Sequence, residues 1–141
     1  MTAKMILIVE DNERNAKLLR DVLGAKGYQT RHTTTAEEGL EVARQQHPAL
    51  ILMDISLPGM DGFAALKEIR ADAEICKTPV VAVTASAMPM DRRNIEKAGF
   101  DGYITKPISV KEFMAEVRAM IGEPEPASGE ASELASGGES Q

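Results

Sequence analysis

Five short runs of strand-forming residues alternate along this chain with segments whose apolar residues recur every three or four positions. That alternation limits the fold more than any other feature. "KMILIVE" (4–10) is a near-continuous aliphatic run, and "ALILMD" (49–54) is a second, the pattern of strands covered on both faces. "TPVVAVTA" (78–85) reads as a strand with Pro79 at its start, where a missing N–H is tolerated. "FDGYITK" (100–106) is a further strand, whereas "YQTRHTT" (28–34) is more polar and belongs near a sheet edge.

The intervening segments have helical period and helical punctuation. Leu18, Leu19, Val22 and Leu23 lie at helical spacing in 12–27, with Gly24 or Gly27 as the stop. In 35–48, Thr35 is an N-cap candidate, Leu40, Val42 and Ala43 point inward, and Pro48 terminates. Phe63, Leu66 and Ile69 mark a third helix in 62–72, and a fourth runs from Pro89, a good first helical residue, to Gly99. Ser109 and Glu112 have capping-box spacing ahead of a stripe formed by Val110, Phe113, Val117 and Ile121.

Five β-α repeats with short connections predict an α/β fold: a single doubly wound (βα)5 parallel sheet, flavodoxin-like, with strand order 2-1-3-4-5. The domain is expected over residues 1–121. Residues 122–141 are rich in Pro, Gly, Ser and Glu, with one Leu as their only large apolar residue. Such a segment buries too little to offset its ordering entropy, so a disordered acidic tail is expected there.

The tail also explains the net charge of −6, because it holds five glutamates and no Lys or Arg. The remaining 17 acidic residues nearly balance the 16 basic ones, which leaves no reason to expect direct nucleic-acid binding. "MTAKMILIVED" turns acidic too soon for a signal peptide, and no apolar run approaches the length of a membrane span. A single cysteine, Cys76, excludes an internal disulfide framework and fits a cytoplasmic location; it is expected to be a partly exposed thiol without a chemical role.

In open α/β sheets, ligands bind beyond the carboxyl ends of the strands at the point where strand order reverses, here between strands 1 and 3. Those ends carry Glu10 and Asp11, Asp54, Thr84 and Lys106. Three carboxylates gathered on one rim repel one another, at roughly 3 kcal/mol per pair for about 5 Å and an effective dielectric of about 20. The cluster therefore needs a cation, a raised pKa, or both. An all-oxygen site suits Mg2+ and, lacking His and Cys, argues against zinc. A Lys106 ammonium opposite the metal can neutralise a phosphoryl group, the Thr84 hydroxyl and the Ala85 N–H can donate to it, and a carboxylate beside Mg2+ is a competent nucleophile toward phosphorus. His32 and His47 are expected to be ordinary surface residues.

"VEDN" at the first strand end, "LILMDISLPGMDG" at the third, "VAVTA" at the fourth and "YITKP" at the fifth resemble the receiver domain of two-component response regulators, over about residues 4–121 with every motif in order. The start and the "KPIS" end are most similar to stand-alone receivers of the DivK type and to receivers in hybrid kinases. The resemblance implies that Asp54 is the phospho-acceptor, and that Glu10, Asp11, Asp54 and the backbone carbonyl of Ser56 hold Mg2+. Thr84 and Lys106 would contact the phosphoryl group. Tyr103 would be an aromatic switch that turns inward when Thr84 is drawn to phosphate. It further implies a cis bond at Lys106–Pro107. Implied partners are a histidine kinase or histidine phosphotransfer protein upstream and a target protein on the face made by helix 4, strand 5 and helix 5. Ser56 and Ser86 occupy the positions where the family tunes dephosphorylation, and both are small and uncharged.

Taken singly, each residue also has a plain structural role open to it. Glu10 and Asp11 suit the positive end of the first helix, Thr84 is a normal strand residue, and Lys106 is a normal solvated charge. Tyr103 fits core packing, Gly59 and Gly62 fit a turn, and Met88 and Met90 fit either packing or an adaptable partner surface. Two other functions share part of the pattern. One is the receiver portion of a longer effector, although 122–141 has no periodicity that would form a second domain. The other is an Mg2+-dependent aspartyl-phosphate hydrolase, which places a second carboxylate where Ser56 stands. An FMN carrier is disfavoured by the acidic first loop "EDNERN".

Overall fold

The computed structural model describes residues 4–57, 59–85 and 88–122. The acidic tail expected beyond Gly122 lies outside them, as does Ser86. Ten elements alternate along the chain: β1 (Met5–Val9), α1 (Glu13–Ala25), β2 (Gln29–Thr33), α2 (Ala36–Gln46), β3 (Leu50–Asp54), α3 (Gly62–Ala71), β4 (Val80–Thr84), α4 (Pro89–Ala98), β5 (Gly102–Thr105) and α5 (Val110–Ile121). All strand pairs are parallel and the order is β2-β1-β3-β4-β5, as the repeats predict.

The aliphatic runs are continuous because successive residues of a strand enter two separate cores. Leu7, Val9, Ile51, Met53, Val80 and Ala82 face the core built with α2, α3 and α4. Ile6, Ile8, Leu50, Leu52, Val81 and Val83 face the opposite core, which α1 and α5 complete with Leu19, Leu23, Phe113 and Val117. A sheet buried on both sides leaves each inner strand no polar face, so its chemistry can only appear at its ends. The polar strand β2 lies on the edge, as its composition requires.

Helix starts follow local chemistry. Asn12, Thr35, Asp61 and Ser109 each accept an N–H from the first turn of the helix they precede, and α4 begins on Pro89. The structure decides between the two stops offered for the first helix and sharpens several other details. Gly24 does not stop α1, which continues to Ala25; the chain turns at Gly27, whose φ of 100° is the left-handed region glycine tolerates. α2 ends on His47 in a left-handed conformation, ahead of Pro48. Leu18 (36% exposed) and Val110 (44% exposed) sit at the solvent margin of their stripes rather than in the core. Phe63 is only half-buried and meets Phe100 edge to face, with ring centroids 5.6 Å apart.

At the amino ends of the strands, Lys4 Nζ donates to the carbonyl of Ile121 and the Tyr28 hydroxyl donates to that of Gly122, tying the last turn of α5 to β1 and the start of β2. Arg70, at the end of α3, performs a related task near β4. Its guanidinium donates to the carbonyls of Cys76 (3.0 Å), Thr78 (2.8 Å) and Gly99 (3.1 Å) and to Asp101 Oδ2 (2.9 Å). Asp101 Oδ2 also accepts the Val80 N–H at 2.8 Å, so one planar cation fixes the loops entering both β4 and β5. Arg70→Ala is expected to lower stability by about 2–4 kcal/mol, and Arg70→Lys to recover only a minor part, because a point charge cannot serve four acceptors. Urea denaturation of the two variants measures this; equal stability of Lys and Arg at 70 would contradict it.

Candidate functional site

β1 and β3 are neighbours, and beyond them the chain leaves for opposite faces of the sheet. Ile8 pairs with Leu52 and Val9 with Met53, so Glu10 and Asp54 come side by side at the next step of the register. Glu10 is buried (1% exposed) just past β1, Asp54 is buried (3% exposed) as the last residue of β3, and Asp11 is exposed beside them. Carboxylate oxygens of the three residues all lie within 4.8 Å of one another. Thr84, the last residue of β4, is also buried. Lys106 follows β5, and its N–H donates to the Thr84 carbonyl (2.8 Å), which holds the ends of β4 and β5 together.

The Lys106 ammonium reaches across β4 to the cluster. Its Nζ is 3.2 Å from Asp54 Oδ2, 3.3 Å from Glu10 Oε1 and 3.4 Å from Glu10 Oε2. The peptide it forms with Pro107 is cis, as the resemblance implies. Backbone donors complete part of the set: the Asn12 N–H meets Glu10 Oε2 (3.1 Å) and the Ser56 N–H meets Asp54 Oδ1 (2.9 Å). Glu10 Oε1 is within ion-pair range of Lys106, yet it is buried without a properly directed hydrogen bond among the described residues. Just behind Asp54 the first residue of α3 packs tightly. A Cβ at Gly62 would lie 2.7 Å from Ile55 Cα and 3.1 Å from the Asp54 carbonyl, so only glycine lets the loop close there.

Burial, then the Asp54 charge and a shared hydrogen bond with Asp54, push the Glu10 carboxyl above its ordinary value of 4.5, and the Asn12 N–H and Lys106 only partly oppose this. Burial pulls the Lys106 ammonium down, but the charges of Asp54 and Glu10 together outweigh it and the net direction is up. Both causes, burial first and the Asp54 charge second, disfavour the ionised form of Glu10. The orphaned Glu10 Oε1 and the all-oxygen donor set therefore fit a hard divalent cation such as Mg2+.

Residues 6–118 match the response regulator receiver domain. The chain belongs to that family. Over 120 residues, 85% of this chain and 98% of the other, the receiver is 46% identical to the polar-differentiation response regulator DivK of Brucella ovis. Its fold resembles the receiver domain of sensor histidine kinase PA1611 from Pseudomonas aeruginosa PAO1, with a TM-score of 0.79, 34% identity and coverage of 86% and 100% of the two chains. That neighbour was solved with a magnesium ion coordinated in its active-site cleft. A CheY-like receiver domain protein from Methanospirillum hungatei JF-1 superimposes with a TM-score of 0.77 at 26% identity, over 94% of this chain and 99% of that one. Receiver fold and two-component signalling, expected from the motifs, hold for this chain.

The receiver thus gathers Glu10, Asp11, Asp54 and Lys106 into direct contact or near it, with Thr84 tied to Lys106 through the backbone. Ser56 is exposed in the loop after β3, and with Thr84, Ala85 and Asn94 it lines a cavity of about 260 Å3. Tyr103 stands apart on β5, half-buried, with the Arg92 guanidinium carbon 5.0 Å from its ring centre. Met88 and Met90 are 64% and 65% exposed, which favours the surface reading over packing. Cys76 is half-buried with a free thiol, and His47 is exposed 3.7 Å from Glu74. His32 does not behave as expected: it is half-buried, and its Nε2 lies 2.8 Å from the Glu10 carbonyl. Its place on an edge strand gave no hint of this, because the contact depends on the β1–β2 register, with Ile8 beside His32.

Because the folded Glu10 value lies above the unfolded one, its protonated form supports stability fully below about pH 4.5, and that support is lost as pH rises through the raised folded value. In chelator at neutral pH, Glu10→Gln is expected to be more stable than the parent by about 1–3 kcal/mol, the order of one carboxylate repulsion. The variant should also flatten the decline in stability above pH 4.5. Thermal unfolding in EDTA across pH 4 to 8 tests both; a less stable variant with an unchanged profile would contradict them.

Proposed function

We propose that Asp54 accepts a phosphoryl group from a histidine kinase or a histidine phosphotransfer protein, and that this modification changes which protein the receiver binds. The observation that carries the reading is the contact of three carboxylates and one ammonium at the β1–β3 switch point. Glu10, Asp11, Asp54 and the Ser56 carbonyl are the residues that would hold Mg2+. When bound, the ion supplies charge neutralisation for the carboxylates and for phosphoryl oxygens.

Asp54 supplies the nucleophile. One of its carboxylate oxygens bonds to phosphorus while the bond from phosphorus to the donor imidazole nitrogen breaks; the electron pair stays on that nitrogen, and the ring leaves as neutral imidazole because its other nitrogen already carries a proton. The product is an acyl phosphate. Lys106, already 3.2 Å from Asp54, offsets charge on the transferred group, and the Thr84 hydroxyl and Ala85 N–H donate to its oxygens. The receiver catalyses its own modification and turns over no outside metabolite.

Readout follows from the same contacts. Thr84, drawn toward the phosphoryl group, vacates space into which Tyr103 turns, leaving the Arg92 side chain that now covers it. The two ring positions belong to two conformations, and phosphate biases the population toward one. The affected face, α4-β5-α5, carries the exposed Met88 and Met90, side chains suited to an adaptable protein contact. Among the described residues no helix is long and apolar enough to cross a membrane. We place the receiver in the cytoplasm, with its functional domain in residues 1–121 and an acidic tail in 122–141.

Incubation with a small phosphodonor and Mg2+ should add one acid-stable, base-labile phosphate, absent in Asp54→Asn and without added metal. Lys106→Ala should label about 100-fold more slowly or worse, as expected when a charged stabiliser of the transferred group is removed. Intact-mass spectrometry reads each result, and labelling that persists in Asp54→Asn would refute the assignment.

A further inference from the structure

The backbone at Glu10 is held on both sides by different means. Its N–H donates to the Thr33 carbonyl (3.0 Å), the last β1–β2 ladder bond. Its carbonyl would ordinarily receive the next ladder N–H from β2. β2 has ended by then: Thr33 is its last residue, and Thr35, whose N–H would be next in the parallel ladder, already caps α2 with its side chain. The partner comes instead from a side chain, His32 Nε2 at 2.8 Å. A carbonyl can only accept, so this nitrogen carries the hydrogen.

That carbonyl belongs to the peptide joining Glu10 to Asp11. Its tilt sets both where Glu10 leaves β1 and where Asp11 begins. From this geometry we infer that His32 is a positioning residue for the cation site: by donating to the Glu10 carbonyl it fixes the peptide between two of the three carboxylates. It touches no reacting group. Its effect passes through the backbone, as a partner outside a metal's own ligands orients them. Several other donors in the site are backbone N–H groups with no side chain to alter, so His32 is a place where the orientation of this pair can be changed by substitution.

The inference rests on the reading that Glu10 and Asp11 hold Mg2+, and the test separates the two. Mg2+ binding is measured by calorimetry on the full chain for the parent, Glu10→Gln, His32→Gln and His32→Met. Gln and Met have similar lengths, but only Gln offers an N–H. Glu10→Gln should weaken binding at least tenfold. His32→Met should weaken it by about tenfold, the low end of the range for such partners, while His32→Gln stays within about twofold of the parent. The Asp11 amide resonance should shift in His32→Met and return toward the parent in His32→Gln. If His32→Met does not fold, His32→Val supplies an edge-strand residue without the donor, and the same loss is expected. Parent-like binding in Glu10→Gln would overturn the reading beneath. Loss in Glu10→Gln with parent-like binding in the donor-less variant, or equal loss in His32→Gln, would overturn the role of His32 alone.

Discussion

Two buried carboxylates held against one ammonium form the interaction on which the remaining structure depends. Glu10 and Asp54 are almost wholly removed from water, and Lys106 is the cation that makes their proximity tolerable. One positive charge cannot neutralise two negative ones, and the Glu10 carboxyl is shifted upward, by its burial first and by the neighbouring Asp54 charge second. A surface cluster would relax by moving its side chains apart. Here the parallel register of β1 with β3 prevents it, because both residues lie at the ends of strands locked by continuous cores on either face. The fold holds a charge imbalance in place, and a hard divalent cation is the natural means of relieving it.

The scaffold accordingly divides its labour by position along the strands. Strand interiors supply apolar residues to two cores, whereas carboxyl ends supply the polar groups. Amino ends and the loops behind them are stitched by long-range bonds from Arg70, Lys4 and Tyr28 to backbone carbonyls. Arg70 is informative because it joins the end of α3 to the loops before β4 and β5 through a single planar group. Rigidity behind β4 and β5 matters for the site, since those strands deliver Thr84 and Lys106.

Much of this was legible in the sequence. Unbroken aliphatic runs predict doubly covered strands, and strand order then fixes which ends meet; Thr35 and Ser109 announce their helices by local chemistry alone. The less legible features depend on distances that local spacing does not encode. Leu18 and Val110 have helical periodicity, but the width of the buried stripe is set by the neighbouring element, and both fall at its margin. Gly24 and Gly27 both suit a helix stop, and only the backbone shows that α1 runs one residue past Gly24 and turns at Gly27. The His32 contact needs register, and the Arg70 contacts need the tertiary fold. What was read correctly follows from periodicity and position; what was missed lies in side chains that reach across elements to backbone carbonyls.

The tether at the end of α5 has a practical meaning. Lys4 and Tyr28 grip the carbonyls of Ile121 and Gly122 at the pole where strands begin, and the acidic cluster lies at the pole where they finish. The length of the strands therefore separates Gly122 from the acidic cluster. A fluorophore or surface anchor attached at Gly122 would start its path at the pole opposite the acidic cluster.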